Sequence, residues 1–172
     1  MKDILLEELI YEYFTLQGFL CLRNLPGKPK IKGGRDEIDL IAVKIEKNNI
    51  NKIIWIEVTS YLSGGKKSIK QKFSQEKENY VRKFLKSMYG IDYNNTIKKI
   101  LFTSHEHTKI KEDKSLPAEV ITRKDVLENI PNLIKKYQEK YREFSGSKTK
   151  DITLPNSLKL IELIEDFKQK FN

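Results

Sequence analysis

One cysteine, one tryptophan and two histidines are spread through 172 residues, and each scarcity removes a class of function. With Cys21 alone, no intrachain disulfide forms and a cysteine-rich zinc site is ruled out. Cys21 lies in Phe19-Leu20-Cys21-Leu22, an apolar setting that suits a small buried side chain better than a reactive thiol. Both histidines fall in His105-Glu106-His107; two such ligands without a third read as an exposed turn rather than a metal site. No apolar run approaches the roughly 18 residues that cross a bilayer. Glu7 and Glu8 interrupt the N-terminal apolar stretch, so no secretory leader is expected. These absences predict a soluble, cytoplasmic protein without a membrane partner.

Positive charge, by contrast, is abundant. Lysine and arginine number 33 against 24 acids, a net charge of +9, which favours an anionic partner such as nucleic acid. The distribution says more than the total. Lys66, Lys67, Lys70, Lys72, Lys77, Arg82, Lys83 and Lys86 fall in one stretch, opposed there only by Glu76 and Glu78. Such a block is an electrostatic footprint for phosphates, with Lys66, Lys67, Lys70 and Arg82 as the expected backbone contacts.

Apolar periodicity divides the chain into alternating elements. Leu5, Leu6, Leu9, Ile10, Tyr13, Phe14 and Leu16 recur at helical spacing and predict a helix over 3–17, ended by Gly18. Residues 19–23 read as a short buried strand, and the proline- and glycine-rich segment 24–35 as a loop. Residues 37–43 and 52–59 predict two strands, most simply an antiparallel pair. After Gly64-Gly65, the stripe of Ile69, Phe73, Tyr80, Val81, Phe84, Leu85 and Met88 predicts one long basic helix over about 66–88. Strands are expected at 99–103 and 118–122, then a helix over 123–141 in which Pro131 starts a new segment. The order is that of an α/β fold, a mixed central sheet flanked by helices, over residues 1–143. A polar linker, 144–156, would then lead to an amphipathic helix over 157–172, with Leu158, Ile161, Leu163, Ile164, Phe167 and Phe171 on its apolar face.

Strand alternation singles out two acids. In the first of the paired strands Glu37, Asp39 and Ile41 share one face, and Ile38, Leu40 and Ala42 the other. In the second, Trp55, Glu57 and Thr59 lie together, opposite Ile54, Ile56 and Val58. Trp55 reads as core packing beside Glu57. A carboxylate inside Ile-Ile-Trp-Ile-Glu-Val is costly unless something pairs with it. A core ion pair to Arg35 or Lys44 would serve, as would a cation shared with Asp39. Two carboxylates and a main-chain carbonyl can hold Mg²⁺ through hard oxygen ligands, and a metal so held activates water and neutralises charge at a scissile phosphate.

Gly33-Gly34-Arg35-Asp36-Glu37-Ile38-Asp39-Leu40, followed by Ile56-Glu57-Val58-Thr59, resembles the PD-(D/E)XK nuclease superfamily, in the flavour of its Holliday-junction-resolvase and restriction-endonuclease-like members. Tyr13-Phe14, Gln17-Gly18-Phe19 and Arg23-Asn24 match the helix-turn-strand lead-in, so the resemblance spans roughly residues 1–140. It implies a restriction-endonuclease-like sheet and Mg²⁺, with Mn²⁺ able to substitute, held by Asp39, Glu57 and the Val58 carbonyl. Glu8, or its neighbour Glu7, would be the acid that the first helix adds. The family's lysine two residues after the second acid is here Thr59, which supplies no cation. Some members recruit a lysine from the following helix instead, which makes Lys72 and Lys77 candidates and leaves Lys66, Lys67 and Lys70 open. The resulting expectation is a metal-dependent nuclease, an endonuclease on DNA. The alternative is a nuclease-fold protein that binds nucleic acid and cuts weakly or not at all. The terminal helix offers a surface for a homodimer or a partner subunit.

Overall fold

The computed structural model describes residues 4–29, 35–47, 49–61, 65–104 and 108–145. The expected linker, the terminal helix and the His105-Glu106-His107 turn lie outside the described residues, apart from the first two linker positions.

Helix α1 (Ile4–Leu16) buries Leu6, Ile10 and Phe14, spaced by four, while Leu5 from the expected stripe is 80% exposed. Gly18, at φ 78°, turns the chain back; a Cβ there would stand 3.0 Å from Lys44 Nζ, which donates to the Gln17 carbonyl at 2.6 Å. Five strands follow: β1 (Leu20–Pro29), β2 (Arg35–Glu46), β3 (Asn49–Thr59), β4 (Lys98–Thr103) and β5 (Glu119–Thr122). They lie in the order β1-β2-β3-β4-β5. The first three form an antiparallel meander, and β4 and β5 add in parallel. The fold is therefore α/β with a five-stranded mixed sheet flanked by helices.

Each face of the sheet carries its own apolar layer. Leu40, Ala42, Ile54, Ile56, Ile100 and Phe102 meet α1 and α5 (Arg123–Ser145). Ile41, Val43, Ile53, Trp55, Leu101 and Val120 meet α2 (Gly65–Lys72) and α3 (Gln75–Tyr89). The β3-to-β4 crossover thus covers one face, and α4 (Thr108–Lys111) in the β4-to-β5 connection adds Ile110 to the same side.

Four expectations are corrected. β1 runs to Pro29 instead of stopping at Arg23, because its pairing with β2 continues past a register shift between Pro26 and Pro29. Ile38 joins Leu25 on the α2–α3 side, not Leu40 on the other. Asn24 lies opposite Asp39 in the register, at φ 52°, a conformation asparagine tolerates, and the alternation breaks at this pair. The single basic helix is two helices, parted at Phe73-Ser74. Ser74 is extended (φ −64°, ψ 153°) and its hydroxyl accepts from the Lys77 N–H at 3.4 Å, capping α3.

The fourth correction concerns α5, which is continuous through Pro131. Thr122 and Asp125 cap its start reciprocally, with bonds of 2.9 Å and 3.3 Å. Val126, Ile130 and Ile134 then seat one stripe on the sheet, and this packing outweighs the missing donor at Pro131. The carbonyl left without it belongs to partly exposed Leu127, where water can reach. Pro131→Ala should therefore raise unfolding stability by about 1–3 kcal/mol in urea titration, with an unchanged m value. A loss of stability would show that α5 needs the proline's geometry.

Candidate functional site

The β2–β3 ladder ends at Leu40 and Ile56, and the next pair in the register is Asp39 and Glu57. One step further, the Val58 N–H would meet the Ile38 carbonyl if the ladder continued. It donates instead to Asp39 Oδ2 at 2.8 Å. A carboxylate has replaced a rung of the sheet. Because the N–H and C=O of one strand residue point to the same side, the Val58 carbonyl is also turned towards β2, beside Asp39.

Glu57 is held on the α2–α3 face. Its Oε1 accepts from the Trp55 indole N–H at 2.9 Å, and its Oε2 lies 3.4 Å from Lys72 Nζ. Asp39 is 7% exposed and Glu57 3%. Burial first, and the neighbouring Asp39 charge second, raise the Glu57 carboxyl to about 7. Lys72, the indole bond and Lys77 act in the opposite direction. Of the two ion pairs that could have satisfied Glu57, Lys44 is engaged with Gln17, and the Arg35 side chain lies outside what is described. The cation at Glu57 is Lys72.

The remaining expected residues distribute unevenly. Lys77 stands close enough to act on Glu57 electrostatically. Lys67 and Lys70 are exposed on the outer side of α2, opposite buried Ile69; Lys66 is exposed too and pairs with Asp113. Arg82 is engaged within the fold. Its guanidinium donates to Glu78 at 2.7 Å and to the carbonyls of Tyr93 and Asn95 at 2.5 Å and 3.0 Å, tying the α3–β4 connection to the helix. Glu8 pairs with Arg23, which also sits over the Tyr11 ring. The acid that α1 buries is Glu12, which helical periodicity alone did not single out. Among the described residues, no third His, Cys, Asp or Glu joins Asp39 and Glu57 as a metal-holding group. The Thr59 hydroxyl donates to the Tyr61 carbonyl at 2.8 Å.

Hard oxygen donors in a buried pair, one of them pushed towards protonation by burial and by its neighbour, suit a small divalent cation. Asp39, Glu57 and the Val58 carbonyl are the residues that would hold it. No family model matches this chain, and no curated protein matches it in sequence.

The raised Glu57 value carries a stability consequence of definite sign. The neutral form is favoured in the folded state, so this group's contribution is full below its ordinary value of 4.5 and is lost as pH rises towards about 7. The loss is on the order of 3 kcal/mol. In chelator, Glu57→Gln should therefore raise the melting temperature by several degrees at pH 8 and by much less at pH 4.5. Thermal denaturation at the two pH values checks this; destabilisation at pH 8 would show that the buried charge is compensated.

Proposed function

We propose that this chain is a Mg²⁺-dependent nuclease of restriction-endonuclease-like fold that hydrolyses phosphodiester bonds, an endonuclease acting on DNA. One observation carries the reading: two buried carboxylates meet where β2 and β3 part, with a lysine from the next helix on one of them. The five-stranded mixed sheet flanked by helices supports it, being the coarse architecture that the resemblance implies. DNA as substrate comes from that resemblance.

Bound by these ligands, Mg²⁺ would supply an activated water and neutralise charge on the scissile phosphate. The protein's part is positional. Asp39 and Glu57 would hold the cation, and each accepts from an N–H donor that restrains its carboxylate. Lys72 takes the role of the lysine absent at Thr59, its ammonium placed to donate to a phosphate oxygen as negative charge develops. Lys67 and Lys70, exposed on the same helix, extend a positive surface along the backbone of the bound strand.

The test is cleavage of single-stranded, duplex and branched DNA in Mg²⁺ or Mn²⁺. Asp39→Ala and Glu57→Ala should abolish it, and Lys72→Ala should slow it about 10²–10³-fold. Thr59→Lys in the Lys72→Ala background should restore part of the rate. Equal cleavage by wild type and the acid variants would overturn the proposal. Salt-sensitive DNA binding without cleavage would favour the second reading, a nucleic-acid-binding protein on a nuclease fold, for which the cation-free Thr59 is the supporting feature.

A further inference from the structure

Trp55 is the chain's one tryptophan and is fully buried. An indole N–H can only donate, and a buried one needs an acceptor. Here the acceptor is a carboxylate oxygen of Glu57, two residues along the same strand and on the same face. The ring has little freedom to turn away. The Phe73 ring packs edge-on at 5.0 Å and 64°, and Lys99 Nζ lies 5.9 Å from the indole centroid. Lys99 is itself held by Glu78 at 2.8 Å. Trp55 is thus clamped between the sheet and α2–α3, and it passes that constraint to Glu57. Oε1 is committed to the indole, and Oε2 is the oxygen presented towards Lys72.

We propose that Trp55 is a positioning residue that makes Glu57 a one-oxygen ligand, and so selects Mg²⁺ or Mn²⁺ over Ca²⁺ at this site. This rests on the metal reading above. The physical basis is coordination preference. A small cation with a strict octahedron takes single carboxylate oxygens and keeps its waters. Ca²⁺ is larger and gains most from carboxylates that bind through both oxygens. The buried N–H donor on Oε1 at 2.9 Å works against the second mode, whereas Oε2 has only the longer 3.4 Å contact from the partly exposed Lys72.

The experiment is calorimetric titration of the chelator-stripped full chain with Mg²⁺, Mn²⁺ and Ca²⁺, without substrate, for wild type, Trp55→Phe and Glu57→Gln. Phenylalanine keeps most of the apolar fill and removes the donor. Trp55→Phe should lose about tenfold in Mg²⁺ affinity, with Ca²⁺ affinity unchanged or increased, so that the preference narrows or inverts. A parallel measurement uses only proteins that retain the indole. Mg²⁺ should change Trp55 emission in wild type and not in Glu57→Gln, which keeps the readout if Trp55→Phe does not fold. If wild type binds Mg²⁺ through Asp39 and Glu57 but Trp55→Phe leaves the Mg²⁺/Ca²⁺ ratio unchanged, this inference fails and the metal site stands. A metal-silent Trp55 in a wild type that binds Mg²⁺ counts against it in the same way. If wild type binds no divalent ion, both fall together.

Discussion

Asp39 and Glu57 are two carboxyls held in the interior of one sheet, and the cost of burying them side by side governs what surrounds them. Two neutral donors are placed inside, the Val58 N–H on Asp39 and the Trp55 indole on Glu57. The cation is placed at the rim, where the Lys72 side chain keeps 30% exposure. A lysine brought fully inside would have added its own desolvation to that of the acids. The remaining cost is about 3 kcal/mol for Glu57. Burying a large apolar side chain such as Ile41, Ile53, Phe73 or Trp55 stabilises by about 1.5–3 kcal/mol. Two such residues offset the strained carboxyl, and the α2–α3 layer contains many more.

Residue order makes much of this arrangement legible. Alternation over Leu40–Val43 and Ile53–Ile56 predicts two apolar faces, and the structure places those faces in separate cores. The same alternation puts Trp55 and Glu57 on one side, which their hydrogen bond bears out. What alternation cannot convey is where it stops. Where Asn24, at positive φ, lies opposite Asp39, the alternation breaks and Ile38 joins the other core, and nothing in the strand pattern signals that break. Pro131 illustrates the reverse error, since a local helix breaker yields to the sheet contacts of Val126, Ile130 and Ile134. Charge alone groups Arg82 with the lysines of the basic stretch. Its partners are carbonyls of Tyr93 and Asn95, contacts that depend on how the chain returns from α3 to β4.

The break between α2 and α3 matters more than its two residues suggest. On one continuous helix, Lys72 and Lys77 would point about 140° apart. Ending α2 at Lys72 and restarting behind Ser74 frees their directions, and both then act on Glu57. The stripe Ile69, Phe73, Val81, Leu85 suggested an unbroken helix because its members do face one core. They reach it from two axes. A serine preceding a helix turn was the available signal, and the surrounding apolar period masked it.

A lysine at position 59 would belong to the same strand as Glu57 and keep its distance from that acid however the helices moved. Lys72 depends on the seating of α2. That seating is set by Ile69 and by Phe73, whose ring packs on Trp55, and Trp55 is the group bonded to Glu57. The residue after Lys72 and the residue two before Glu57 are therefore in direct contact. Moving α2 outward would displace the ammonium and loosen the indole together, so the cation and the carboxylate's orientation are lost or kept as a unit. The cation beside Glu57 comes from a helix end, and one aromatic contact couples packing to the charge arrangement of the site.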